Sequence, residues 1–174
     1  MIFNYVLGIQ EVQKEKVNIN HREAIRAVIL KHNKILMVHT NKGDYKFPGG
    51  GVNKGESHEE TLLREVKEET GYVISSVKER LGIFTERNFD RYNNKSIFEM
   101  DSYYYLCEIS NNRTSQQLDD YESKLEFKPI WISLDEVIKS NEEILKKDDK
   151  DRSNWVERET KVLKTIREYE INMK

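Results

Sequence analysis

Three consecutive glycines, Gly49-Gly50-Gly51, lead within a few residues into a segment that reads as a helix closed at both ends. Ser57 is a good N-cap with Glu60 three residues on, the reciprocal capping-box pattern, and Gly71 supplies the C-terminal stop. A helix over Ser57 to Thr70 places Glu65, Glu68 and Glu69 within an arc of roughly 100°, at about 100° of rotation per residue. The apolar stripe of Leu62, Leu63 and Val66 is centred roughly 120° away, so the acidic face flanks the buried edge. Glu65–Glu68 and Glu65–Glu69 are like-charge neighbours that each cost about 0.2–0.5 kcal/mol. They also crowd the last turns, where the helix dipole disfavours anions. A bound cation would remove both penalties, although Glu60–Arg64 and Arg64–Glu68 pairs would also balance part of the charge.

The rest of the chain supplies a body for this helix. Ile, Leu, Val and Phe make up 46 of 174 residues, enough for a core despite 34% charged residues. Ala24 to Leu30 and Ile35 to Thr40 are apolar runs joined by Lys31-His32-Asn33-Lys34, a hairpin pattern, and Asn41-Lys42-Gly43-Asp44 reads as a turn. Tyr72 to Phe84 and Ile97 to Ile109 are rich in β-branched and aromatic residues and predict strands. A short strand follows at Ile130 to Ser133, and a helix begins at Leu134 to Lys139. Glu142 to Arg152 reads as a solvated loop or helix end, and an amphipathic helix runs from Ser153 to Tyr169. Interleaved strands and helices imply one α/β domain over residues 1–174, with a mixed sheet.

Composition narrows the function. A net charge of −2 argues against a protein that coats nucleic acid. Apolar runs of four or five residues are far short of the roughly 18 a membrane span needs. Met1 to Gln10 lacks a basic start and a small-residue cleavage site, so a cytoplasmic protein is expected. Cys107 stands alone among tyrosines and reads as a buried strand residue. Clustered carboxylates without His or Cys are hard oxygen donors that suit Mg²⁺ or Mn²⁺ and not zinc. His58, beside the N-cap, reads as a first-turn helix residue.

Gly50, five residues, Glu56, seven residues, Arg64-Glu65-Val66, one residue, Glu68-Glu69, one residue and Gly71 together resemble the Nudix hydrolase box. Seven identities at fixed spacing, each at roughly 5–10% usage, give a chance match on the order of 10⁻⁸ per starting position. Tyr72 stands where the box ends in an aliphatic residue. Softer similarity extends over about residues 22–140.

The resemblance implies the Nudix fold, an α/β/α sandwich, and hydrolysis of the phosphoanhydride linkage of a nucleoside diphosphate derivative or nucleoside triphosphate. It implies that Glu65, Glu69, Glu68 and Glu56 hold the divalent ions, with the Gly50 carbonyl as a further ligand, and that Arg64 orients a carboxylate. For the general base it leaves Glu68 and Glu56 open inside the box, and Glu99, Glu122 and Glu126 outside it. Arg87, Phe89, Arg91 and Tyr92 form a basic-aromatic stretch suited to stacking a base and pairing with phosphate. The expected partner is a nucleotide-derived small molecule, with no long nucleic acid and no membrane; a homodimer is compatible with this. The competing reading is a non-catalytic Nudix-like sensor, which the intact carboxylates disfavour.

Overall fold

A computed structural model describes residues 1–11, 17–90 and 96–173. Its centre is a long antiparallel ribbon of β6 (Tyr72–Phe89) and β7 (Ser96–Arg113). β1 (Phe3–Gly8) lies parallel to β6, and β2 (Asn18–Val28) lies parallel to β7, giving the mixed order β1-β6-β7-β2. A second sheet is organised around β4 (Lys34–His39), which pairs antiparallel with β3 (Leu30–Lys31), β5 (Tyr45–Lys46) and β8 (Lys128–Ile132). The β3–β4 turn places His32 and Asn33 at φ 50° and 59°. Two consecutive left-handed residues are the geometry of a tight hairpin, which the right-handed strand twist favours.

Strand alternation divides the core in two. Ile25 and Ala27 of β2 and Leu36 of β4 face helix α1 (His58–Thr70), where they meet Leu62, Val66, Ile74 and Cys107. Val28, Ile35 and Met37 face the other way, with Phe47, Phe84 and Tyr104. That side is covered by α3 (Leu134–Leu145) and α4 (Val156–Met173) through Val137, Ile138, Val162, Leu163 and Ile166. Apolar runs on β2 and β4 are therefore buried on both faces, as in the middle layer of a three-layer α/β/α sandwich. Cys107 sits in the α1-side core, and burial pushes its thiol up to about 12.

α1 runs where its signals place it. Ser57 accepts from the Glu60 N–H, Glu60 returns the bond to Ser57, and Gly71 closes the helix at φ 71°. Other boundaries differ from the sequence reading. α3 continues past Lys139 to Leu145, so Glu142 belongs to a helix end, and α4 starts at Val156. β1 and the outer half of β2 carry no strong pattern because they lie at sheet edges, with their exposed positions polar. Among the described residues, no helix is long and apolar enough to cross a membrane.

Candidate active site

The glycine run is stitched to the edge of β2. The Ile25 N–H donates to the Gly50 carbonyl at 2.9 Å, and the Ala27 N–H to the Pro48 carbonyl at 2.8 Å. The Val52 N–H donates to the Glu23 carbonyl at 3.0 Å, around an Ala24–Gly51 bridge. This lays bare backbone beside the C-terminal half of α1. A Cβ on Gly50 would sit 2.3–2.5 Å from the Glu65 carboxylate, so the absence of a side chain lets Glu65 lie against the loop.

Glu69 is 1% exposed and compensated on both sides. Its Oε2 accepts the Gly49 N–H at 2.8 Å, and its Oε1 pairs with the Lys46 ammonium. The Gly49 carbonyl in turn accepts from Lys46 at 3.1 Å and from Arg26 Nη1 at 2.6 Å. From the opposite wall, the short helix α2 (Asp120–Lys124) delivers Glu122, whose Oε2 accepts the Asp119 N–H at 3.0 Å. Ligand atoms of Glu65, Glu69 and Glu122 all lie within 4.8 Å of one another.

Electrostatics mark the trio as short of positive charge. Burial raises Glu65, helped by the charge of Glu69 and opposed by Arg64 and Lys46. Burial likewise pushes Glu122 up to about 7; Glu69 and Asp119 add to the shift, against the Asp119 N–H and Lys46. Three oxygen donors converging in a half-buried cleft, two of them with disfavoured charge, fit a hard divalent cation. The cleft encloses about 320 Å³, and its far walls include Arg22, Met100, Tyr121, Asn154, Trp155 and Arg158.

The other carboxylates of the box gather on Arg64. Its Nε and Nη2 reach the two Glu56 oxygens at 2.7 and 2.8 Å, and its Nη1 reaches Glu65 at 2.6 Å and Glu68 at 3.2 Å. That fork holds the Glu56 carboxyl down at about 2, with the Asn53 N–H and Thr61 hydroxyl assisting. Glu56 and Glu68 are thus positioned as partners of Arg64, and the trio consists of Glu65, Glu69 and Glu122. The Gly50 carbonyl, taken up by Ile25, points into the strand ladder; the carbonyl beside Glu69 is that of Gly49.

The basic-aromatic stretch goes elsewhere. Arg87 and Glu99 are opposite one another on β6 and β7 and form an ion pair. Their neighbours Glu86 and Met100 face α4 and the cleft, so alternation puts Arg87 and Phe89 on the opposite face. Phe89 is 69% exposed, and Arg91 and Tyr92 lie outside the described residues. Glu126 is an exposed partner of Lys128 at 3.2 Å. His58 Nδ1 hydrogen-bonds the Tyr105 hydroxyl at 2.7 Å.

Sequence reasoning passed over Lys46, Arg22, Arg26 and Arg158. Arg26 had a signal, since a lone arginine inside the apolar run Ala24 to Leu30 is a buried charge that needs a partner. Arg158 had none, because its partner Glu86 on β6 meets it only in the folded chain.

Comparison with known proteins identifies the fold and the family. The model of the NUDIX domain matches residues 20–157. An ADP-ribose pyrophosphatase of Methanocaldococcus jannaschii is 36% identical over 89 residues, 49% of this chain and 52% of the relative. Nudix hydrolase 2 of Arabidopsis thaliana is 29% identical over 146 residues, 78% of this chain and 49% of the relative. The chain thus spans about half the length of these two curated relatives. A solved NUDIX hydrolase from Nitrosomonas europaea shares the fold, with a TM-score of 0.58 at 20% identity over 88% of this chain and 90% of that one. With a family model covering most of its length, the capped helix, glycine loop and carboxylate cleft described above belong to a member of the Nudix family.

Proposed function

We propose that the chain is a Mg²⁺- or Mn²⁺-dependent cytosolic hydrolase that cleaves the phosphoanhydride linkage of a nucleoside diphosphate derivative or nucleoside triphosphate. The observation that carries this reading is the convergence of Glu65, Glu69 and Glu122 in a cleft whose far wall is cationic and aromatic. These three side chains would hold the divalent ion. When bound, the ion supplies charge neutralisation for the diphosphate and lowers the pKa of attacking water. Lys46 and the Gly49 N–H hold Glu69 in place, and Arg64 fixes Glu65. Glu122 commits one oxygen to the Asp119 N–H and keeps the other for the ion or for the proton of the attacking water.

Across the cleft, the Arg22 guanidinium lies over Gly51, where a Cβ would come within 2.5 Å of Nη2. It is placed to pair with a phosphate group, a geometry that guanidinium suits. Tyr121, Phe127 and Trp155 offer apolar surface to the nucleoside end. The name of the Methanocaldococcus relative makes ADP-ribose the first substrate to try.

The test is a panel of ADP-ribose, nucleotide sugars, dinucleotides and nucleoside triphosphates, scored for phosphate, pyrophosphate and mononucleotide release with Mg²⁺. Glu65→Gln and Glu122→Gln should each lower turnover by more than about 100-fold, beyond the loss typical of residues that merely support a metal ligand. The parent should gain thermal stability on adding Mg²⁺, and both variants should lose that gain. Full activity in either variant, or no activity on any member of the panel, would overturn the proposal.

A further inference from the structure

Tyr72, the departure from the aliphatic end of the box, builds a second cavity away from the carboxylates. Its hydroxyl accepts the Trp131 indole N–H at 2.8 Å, and the two rings meet edge to face at 5.9 Å. The Arg113 guanidinium lies 4.1 Å from the Tyr72 ring centroid. Lys31, His32 and Lys34 of the β3–β4 hairpin close the opposite side, around about 490 Å³. Among the described residues, no carboxylate lines this space, and it shares none with the catalytic cleft.

Positive charge is in excess around this hollow, although Lys34 also acts on the Glu136 carboxylate outside it. Lys31 and Lys34 stand directly opposite one another across β3 and β4. Like charges in that register repel. Among the described residues, no ion pair joins Lys31, Lys34 or Arg113 to a carboxylate. In a chain of net charge −2, Lys31, Lys34, Arg113 and His32 line one hollow beside the half-buried Trp131 indole.

We propose that this hollow is an accessory binding site for a mononucleotide, distinct from the catalytic cleft. Lys31, Lys34 and His32 take the phosphate as point-charge donors, and the Arg113 plane and Trp131 take the base by stacking. The volume lies within the range of small-molecule sites. Past Lys34 the adjoining hollow sets Lys139 beside Glu136 and Glu143, so the excess of positive charge does not extend beyond this site. Tyr72 directly follows the Gly71 cap of α1, so a ligand here contacts the first strand residue after the helix that carries Glu65 and Glu69.

The chain has two tryptophans, one in each cavity, and their indole N–H resonances separate the sites. The intact ¹⁵N-labelled protein is titrated with AMP in EDTA, with adenosine and inorganic phosphate as parallel arms. A saturable shift of the Trp131 resonance is expected, at least tenfold tighter for AMP than for either fragment. Lys31→Ala/Lys34→Ala, and separately Arg113→Ala, should weaken that curve at least tenfold while leaving the Trp155 response and Mg²⁺-dependent hydrolysis unchanged. A Trp131 resonance that does not move, an equal curve in both variants, or phosphate binding as tightly as AMP would each overturn the proposal. None of these outcomes depends on which substrate the cleft hydrolyses.

Discussion

Glu56 and Glu69 are both box carboxylates, yet their surroundings give them different work. Glu69 is enclosed and held by an ammonium and a backbone N–H inside the cleft, whereas Glu56 is half-buried on the Arg64 fork. Sequence spacing cannot separate them, because both positions match the same motif; only the direction in which each carboxylate points does. The Arg64 fork also makes a stability prediction. The Glu56 carboxyl is about 2 in the folded chain, below its ordinary 4.5. A group depressed on folding contributes stability above pH 4.5, and that contribution is lost as pH falls from about 4.5 to about 2. Glu56→Gln should therefore lower the thermal midpoint at neutral pH, with the gap to the parent closing by about pH 2. Melting curves at half-unit pH steps measure this, and a gap constant down to pH 2 would contradict the assigned partner.

At the scale of elements, α1 was legible because its determinants are local. Ser57, Glu60 and Gly71 act within one helix, and the capping geometry follows from their spacing alone. The hairpin at Lys31 to Lys34 was legible for the same reason. β1 pairs with a strand some eighty residues away and so had no local signature, whereas the Asp119–Glu122 capping box that opens the five-residue α2 was a local signal that sequence reasoning passed over. In the sequence Glu122 stood level with Glu99 and Glu126. What distinguishes it is reach, because Glu99 faces Arg87 across the sheet and Glu126 faces Lys128. The loop before α1 separates stability from function at two glycines. Gly50→Ala puts a methyl against the flexible end of Glu65, so turnover should fall at least tenfold while the melting midpoint moves little. Gly71→Ala puts a methyl 2.3 Å from the Thr114 carbonyl at φ 71°, so stability should drop by about 1–3 kcal/mol. Measuring both quantities on both variants checks the assignment; a Gly50→Ala protein with parental kcat would show that Glu65 does not need its place against the loop.

Across the whole molecule, the C-terminal helix is joined to the glycine loop through buried charge. Arg158 pairs with Glu86 on β6 and with Glu159, which also lies 3.9 Å from Arg26 on β2 and accepts from the Tyr104 hydroxyl at 3.4 Å. Arg26 continues the chain to the Gly49 carbonyl, next to the Gly49 N–H that holds Glu69. Burial and the charge of Arg158 lower the Arg26 pKa, whereas burial of Arg158 is more than offset by Glu159, Tyr104 and Glu86. Two arginines therefore share two carboxylates in the core, one of them the fully buried Glu159. Glu159→Gln would leave two buried cations facing the single charge of Glu86. Breaking such a set by removing one partner costs about 3–5 kcal/mol, because the remaining charge is uncompensated. Arg158 also lines the cleft, so an anion bound there should return part of the loss. Denaturant melts of the parent and Glu159→Gln, each with and without pyrophosphate, test both steps. The expected result is a lower midpoint for the variant and a larger pyrophosphate-induced rise in the variant than in the parent. Equal rises in the two proteins would mean that the buried network and the cleft are electrostatically separate, and that α4 serves the site only as packing.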